Sequence, residues 1–170
     1  MGWDLLNEMV KNTILFMKNT VLILAFLGLS ACAGKYNIKS SEAAMNYVAH
    51  TAHVINQGGN SKDMDTHVSR ALMVRGLKVT DSESVANLPK TDILVKYTDS
   101  WQWDITMYLR AVDITFYDRS GNILASGNYT NSFFHEWPNE GQVVQKVVDD
   151  MFAKLGITPG KRQASNPTKP

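Results

Sequence analysis

Apolar residues recur along this chain with two periods, and each change of period marks an element. Tyr47 to Ile55 is rich in β-branched and aromatic residues and predicts a first strand. Asn56-Gln57-Gly58-Gly59-Asn60 follows as a loop, with Ser61 or Asp63 placed to cap a helix. Met64, Val68, Ala71, Leu72 and Arg75 then fall at helical spacing and leave one apolar stripe. Gly76 is placed to stop that helix in a left-handed conformation, with Leu77 folding back on its last turn. Leu77 to Thr80 predicts a short second strand, residues 81–91 a connection carrying Pro89, and Ile93 to about Thr98 a third strand.

Residues 101–117 alternate most clearly. Trp101, Trp103, Ile105, Met107 and Leu109 share one face of an extended chain, and Gln102, Asp104, Thr106, Tyr108 and Arg110 the other. From Val112 the apolar set changes parity, through Ile114 and Phe116. A one-residue shift moves every side chain to the other face, so the pattern predicts a bulge near Arg110 to Val112 or a change of packing partner. Asp118-Arg119-Ser120-Gly121-Asn122 predicts a hairpin turn, and Ile123 to Phe133 the returning strand. The last helix carries the strongest signal. Asn139 caps it, Gln142 follows three residues on, and Val144, Val147, Val148, Met151, Phe152 and Leu155 form its stripe. Gly156, Ile157 and Pro159 then end it.

The predicted order is β-α-β-β-β-β-α. Two helices with one apolar stripe each must both bury it on the sheet. The expected fold class is therefore α+β: a two-layer sandwich of four or five mostly antiparallel strands with both helices on one face. The opening β-α-β crossover should be right-handed.

One apolar run fits neither period. Val21 to Leu29 is uninterrupted, follows Lys18, and ends in Leu29-Ser30-Ala31-Cys32 at the chain's only cysteine. At ~1.5 Å per residue the run falls far short of the ~20 residues that cross a bilayer. It has the length of a secretory signal's apolar region. Its end resembles the lipobox of bacterial lipoproteins. The resemblance implies a diacylglycerol thioether and a fatty acyl chain (a palmitate-type modification) on Cys32, with cleavage just before it. The competing reading is a buried core cysteine, disfavoured because Lys18 cuts the apolar segment short. Ala33 and Gly34 follow the cysteine with no aspartate beside it, which by resemblance to enterobacterial lipoproteins implies the outer membrane, facing the periplasm. Met17-Lys18 makes an ordinary leader start. Residues 1–16 ahead of it, with Asp4 and Glu8, read as an over-long start or an extension.

The expected domains follow: a signal peptide over 1–31, a lipidated tether over 32–46, the α+β domain over 47–158 and a disordered tail over 159–170. Residues 33–46 carry Gly34, Lys35, Asn37, Lys39, Ser40 and Ser41, and a flexible linker of that length reaches roughly 20 Å. The tail holds no large apolar group.

Charge narrows the partners. The net charge is +1 with no run of like sign, and the leader's Lys11 and Lys18 balance Asp4 and Glu8. A near-neutral domain lacks the basic stripe that nucleic acid requires. With its single cysteine committed to lipid, the chain offers no disulfide and no thiol catalysis.

Candidate chemistry is sparse. His50 and His53 point to opposite faces of a strand, and His67 and His135 stand alone, so no metal or cofactor other than the covalent lipid is expected. Gly58-Gly59 has no lysine or helix start in phosphate-loop frame, and no nucleophile elbow is present. Asp104 lies between Trp103 and Ile105, yet no second carboxylate sits at a telling distance, so the chain reads as non-enzymatic. Trp101 and Trp103, on the face of Ile105 and Met107, read as core, and Trp137 beside Pro138 as exposed. If both helices cover one face, the other face presents Gln102, Asp104, Thr106, Tyr108 and Arg110, ~6.6–6.8 Å apart along the strand. Asp104, Tyr108, Arg110 and Trp137 are the candidate partner-binding residues.

The run Tyr97 to Tyr108 contains Trp101-Gln102-Trp103-Asp104 with a tyrosine four residues after the aspartate, and Gly121 to Ser126 follows as a hairpin. This resembles a family of small uncharacterised proteobacterial lipoproteins with a Trp-Asp-x-x-x-Tyr motif, over about residues 70–155 and the lipobox. The layout also looks like the amino-terminal domain of TolB and the lipoprotein activators of penicillin-binding proteins, by fold analogy alone. The first reading is a non-enzymatic, membrane-anchored binding or scaffold module of the envelope, with an envelope protein or polymer as its partner. A carbohydrate- or small-ligand-binding lipoprotein is the alternative. A hydrolase of envelope polymers is a third, and it lacks a visible nucleophile or acid–base pair.

Overall fold

The computed structural model describes residues 34–55, 63–82, 90–132 and 137–157, together with helical residues between Trp3 and Lys18. Cys32, the apolar run before it and the tail from residue 158 lie outside the described residues.

The chain is α+β, with a single mixed sheet of six strands. The strands are β1 (Lys35–Ser40), β2 (Thr51–Ile55), β3 (Lys78–Ser82), β4 (Ile93–Asp104), β5 (Thr106–Tyr117) and β6 (Ile123–Thr130). Their order across the sheet is β1-β6-β5-β4-β2-β3. The β1-β6-β5-β4 half is antiparallel, and β2 runs parallel to both β4 and β3. Helix α1 (Met64–Val74) links β2 to its parallel neighbour β3, the β-α-β unit expected from the sequence. Helix α2 (Glu140–Leu155) follows β6, and a short 3-10 turn spans Glu42–Ala44.

One face of the sheet carries the core. Val54 pairs with Val95, Val95 with Phe116 and Phe116 with Ala125, so these four share a face across four strands. Met64, Val68, Ala71 and Leu72 of α1 join them in one buried cluster with Val144, Val147, Val148, Met151, Phe152 and Leu155 of α2. Phe116 and Phe152 meet edge to face with ring centroids 5.8 Å apart, a favoured aromatic geometry. The helices run side by side: His67 lies against Gly141 at their amino ends, and Arg75 donates to Asp149 at 2.6 Å near the other end. α2 sits close on the sheet at Gly127, where an added Cβ would stand 2.6 Å from Val147 Cγ1 and 2.9 Å from Met151 Sδ.

The helix ends follow their sequence signals. Asn139 Oδ1 accepts from Gln142 N at 3.0 Å, and Gly156, at φ +65°, lets Ile157 N return to Phe152 O at 3.1 Å. Gly76 stops α1 in the same way, and Leu77 N returns to Leu72 O at 3.3 Å. Asp63 caps α1 without a side-chain hydrogen bond, and Ser61 lies outside the described residues.

Four expectations are corrected. The sheet has six strands rather than four or five. The extra strand is β1, formed by residues expected to be tether: Tyr36 and Ile38 turn toward α2, while Lys35, Asn37 and Lys39 face solvent. As an edge strand with one solvated face, it has only two apolar positions, Tyr36 and Ile38, to mark it. The third correction concerns residues 93–117. The expected strands over 93–98 and 101–117 are instead the two arms of one long hairpin that turns at Ile105. The first strand is also shorter than expected, because Tyr47 to His50 is irregular. Tyr47 Oη there donates to Asp92 O at 2.8 Å.

Candidate functional site

The β4–β5 hairpin is the feature that departs most from an ordinary sheet. Its strands pair without interruption from Leu94/Tyr117 to Ser100/Ala111, and the register then slips so that Trp101 faces Leu109. Arg110 is the extra residue, a bulge at the place where the sequence changes parity. Its guanidinium Nη1 donates to Asn131 O at 2.8 Å and Ser132 O at 2.9 Å, and Asn131 N donates to Arg110 O at 2.9 Å. Asn131, only 3% exposed, adds a side-chain bond from Nδ2 to Leu109 O at 3.2 Å. The bulge is thus clamped to the end of β6, and the hairpin leaves the sheet from a fixed base.

Beyond the bulge the hairpin becomes increasingly exposed toward its turn. Trp101 still packs against the core, and its Nε1 donates to the Asp99 carboxylate. Trp103 pairs with Met107, Asp104 with Thr106, and Ile105 makes the turn at φ +36°. Trp103 is 70% exposed, Ile105 82% and Met107 51%. The expectation that Trp103 fills the core with Trp101 therefore fails. The face is as predicted, but Trp103 lies outside the buried cluster that Trp101 packs against.

The four partner-binding candidates have different surroundings. Asp104 is half-buried beside the turn. Tyr108 is 4% exposed, and its hydroxyl donates to Gln102 Oε1 at 3.0 Å. It is a buried side chain on the face expected to be open, not a free contact residue. Arg110 is half-buried with two backbone carbonyls on its guanidinium. Trp137, 51% exposed, lies on the segment that joins the same end of β6 to Asn139.

The remainder of that second face is mixed, with the buried Ile55 and half-buried Leu94 beside polar residues. Asn128 Nδ2 donates to Asp113 Oδ1 at 2.9 Å, and Lys96 Nζ sits 5.4 Å over the Tyr117 ring. His53, 2% exposed, pairs through Nδ1 with Thr80 Oγ1 at 2.8 Å. His50, just before β2, is exposed, whereas His53 is buried on the strand. Among the described residues no group of three His, Cys, Asp or Glu is arranged to hold a metal. A cleft between the amino ends of α1 and α2 is lined by His67, Arg70, Asn139, Gln142 and Gln145, and His67 Nδ1 is buried there without a hydrogen-bond partner.

Asp92 is a residue that periodicity does not reveal. It stands where β4 begins, at the end of the sheet away from the hairpin turn. Its carboxylate accepts from His50 N at 2.9 Å, Thr51 N at 3.0 Å, Thr51 Oγ1 at 2.8 Å and the Arg119 guanidinium. Burial pushes this carboxyl's pKa upward, but the bonds from His50, Thr51 and Arg119 outweigh it and hold it down at about 2. On β4, burial, with Asp65 and Asp99 adding, raises Tyr97 to about 12 and keeps its hydroxyl protonated.

No family model matches the chain, and no curated protein matches it. Among solved structures the chain is similar to the PelC dodecamer from Paraburkholderia phytofirmans, at 14% identity and a TM-score of 0.50, over 72% of this chain and 97% of that one. A single-substitution form of the same PelC dodecamer gives 15% identity and the same TM-score and coverage. At that identity the likeness is one of fold. Among the described residues no helix is long and apolar enough to cross a membrane.

Proposed function

We propose that this chain is a non-enzymatic, lipid-anchored module of the bacterial envelope. It is held at the outer membrane through Cys32, faces the periplasm, and acts as a scaffold that assembles with copies of itself. The observation that carries the reading is where β1 starts. Lys35 is already paired with Thr130, three residues after Cys32. A lipid on Cys32 would therefore hold the two-layer sandwich directly against the bilayer, not at the end of a tether. Self-assembly is supported by fold likeness to a protein crystallised as a dodecamer, with nearly all of that chain covered. β1 and β3 are the two edges of the sheet and are available for pairing with another copy. The mature protein, extracted in mild detergent and weighed by light scattering, should run as a defined multiple of its lipidated subunit. A monomer at every concentration would contradict assembly.

The cleft between the helices favours a second reading, in which the module binds a small polar ligand such as a sugar. Arg70, Asn139, Gln142 and Gln145 supply donors and acceptors around the unpartnered His67 nitrogen.

A further inference from the structure

Three observations meet at the β4–β5 turn. The first is surface character. Trp103, Ile105 and Met107 are the largest exposed apolar group on the hairpin, and the direct pairing of Trp103 with Met107 makes them one contiguous patch. The second is the backbone. Ile105 occupies φ +36°, a region that β-branched residues rarely adopt and that glycine or asparagine would occupy without strain. A strained turn with an exposed isoleucine at its tip, beside an exposed tryptophan and methionine, serves neither stability nor solubility.

The third observation is placement. Lys35 pairs with Thr130, Thr130 with Ala111 and Ala111 with Ser100, so the start of β1 lies level with these three residues. From that level the hairpin continues through the Trp101, Gln102, Trp103 and Asp104 pairs, ~13 Å along the strand direction. Because β1 runs antiparallel to β6, the chain preceding Lys35 leaves the sheet toward the same end. Cys32 is three residues away, a reach of at most ~10 Å. A lipid on Cys32 would thus meet the membrane at the end of the sheet where the Ile105 turn projects. Trp137 lies on the segment that leaves β6 at that end.

We propose that Trp103, Ile105 and Met107 insert into the interfacial layer of the lipid bilayer that holds Cys32. The inference rests on the lipid-anchor reading above and adds a second membrane contact to it. Tryptophan partitions to the headgroup level, and isoleucine and methionine reach the acyl boundary. Asp104, next to the turn, and Asp99, which holds the Trp101 indole, keep the insertion shallow. The clamp of Arg110 on Asn131 and Ser132 fixes the hairpin's angle to the sheet. A lipidated cysteine retains the protein on the membrane, but as a single point it leaves the domain free to swivel. The hairpin supplies the second point, and its contribution is orientation, not retention.

The test uses the full chain in vesicles of phosphatidylethanolamine and phosphatidylglycerol. Ile105→Cys, and separately Met107→Cys in case the turn position perturbs folding, would carry an environment-sensitive fluorophore. Ser120→Cys, exposed in the β5–β6 turn at the opposite end of the sheet, is the control. Cys32 is the only native cysteine, and its mass in the same sample reports the anchor separately. Insertion predicts blue-shifted emission at 105 and 107 that spin-labelled lipids quench, and water-like, unquenched emission at 120. Water-like emission at all three positions with Cys32 lipidated would overturn insertion and leave the anchor standing. Blue-shifted emission that lipids do not quench would show another protein surface on the turn and would equally overturn it. Lipid quenching at 105 and 107 with Cys32 unmodified would uphold insertion and remove the anchor reading.

Discussion

At the scale of single residues, Tyr108 and Trp103 exchange the parts that their sequence neighbours suggest. Trp103 alternates with core residues yet is 70% exposed, and Tyr108 alternates with polar residues yet is 4% exposed. Tyr108→Ala should therefore destabilise the domain by about 2–4 kcal/mol, the range for removing a buried large side chain. Trp103→Ala should cost about 0.5 kcal/mol or less, as at an ordinary surface position. Chemical-denaturation midpoints of the two variants would settle the order, and equal losses would contradict the faces described here. Asp92 adds a pH dependence. Its folded pKa of about 2 lies below the ordinary aspartate value of 3.8, so the unfolded chain takes up its proton first as the pH falls. The stability it contributes is complete above about pH 4 and is lost as the pH drops toward 2. Asp92→Asn should lower stability at neutral pH and flatten the acid limb of the stability profile between those values. An unchanged limb would mean that another carboxylate governs it.

At the scale of elements, α2 holds the two halves of the fold together. Val143, Val144, Val147, Val148, Met151, Phe152 and Leu155 are all buried, at ~1.5–3 kcal/mol each, against a typical net stability of ~5–15 kcal/mol. Deleting residues 140–170 should yield aggregated or protease-sensitive protein, whereas deleting 160–170 should leave the melting temperature nearly unchanged. Normal folding of the longer deletion would contradict the packing of α2 on the sheet. This helix was fully legible in the sequence, because its cap, its stripe and its terminal glycine are local signals. So were the β-α-β unit, the Gly121 turn and the bulge near Arg110. β1 was hidden because only Tyr36 and Ile38 mark it and its partner β6 lies some ninety residues away in the chain. The turn at Ile105 was hidden for a different reason. An isoleucine carries no turn signal, and an alternating pattern continues through it without a break. The Asp92 lock joins three separate segments, which no periodicity can reveal.

At the scale of the whole molecule, the mixed sheet has two functionally different ends. One end holds the Asp92 lock and the β5–β6 turn. The other gathers the start of β1, the projecting hairpin, Trp137 and the amino ends of both helices. Of the candidate site, the sequence located the strands that carry Asp104, Tyr108 and Arg110, but it did not reveal that Tyr108 is buried or that the chain turns at Ile105. The central claim is that Cys32 is the lipid-bearing first residue of the mature chain, so that this second end faces the membrane. Intact-mass measurement of the chain extracted from its native envelope tests that claim most directly. The account predicts a species lacking residues 1–31 and carrying a diacylated or triacylated cysteine. A species retaining Met17 to Ala31 with an unmodified Cys32 thiol would contradict it.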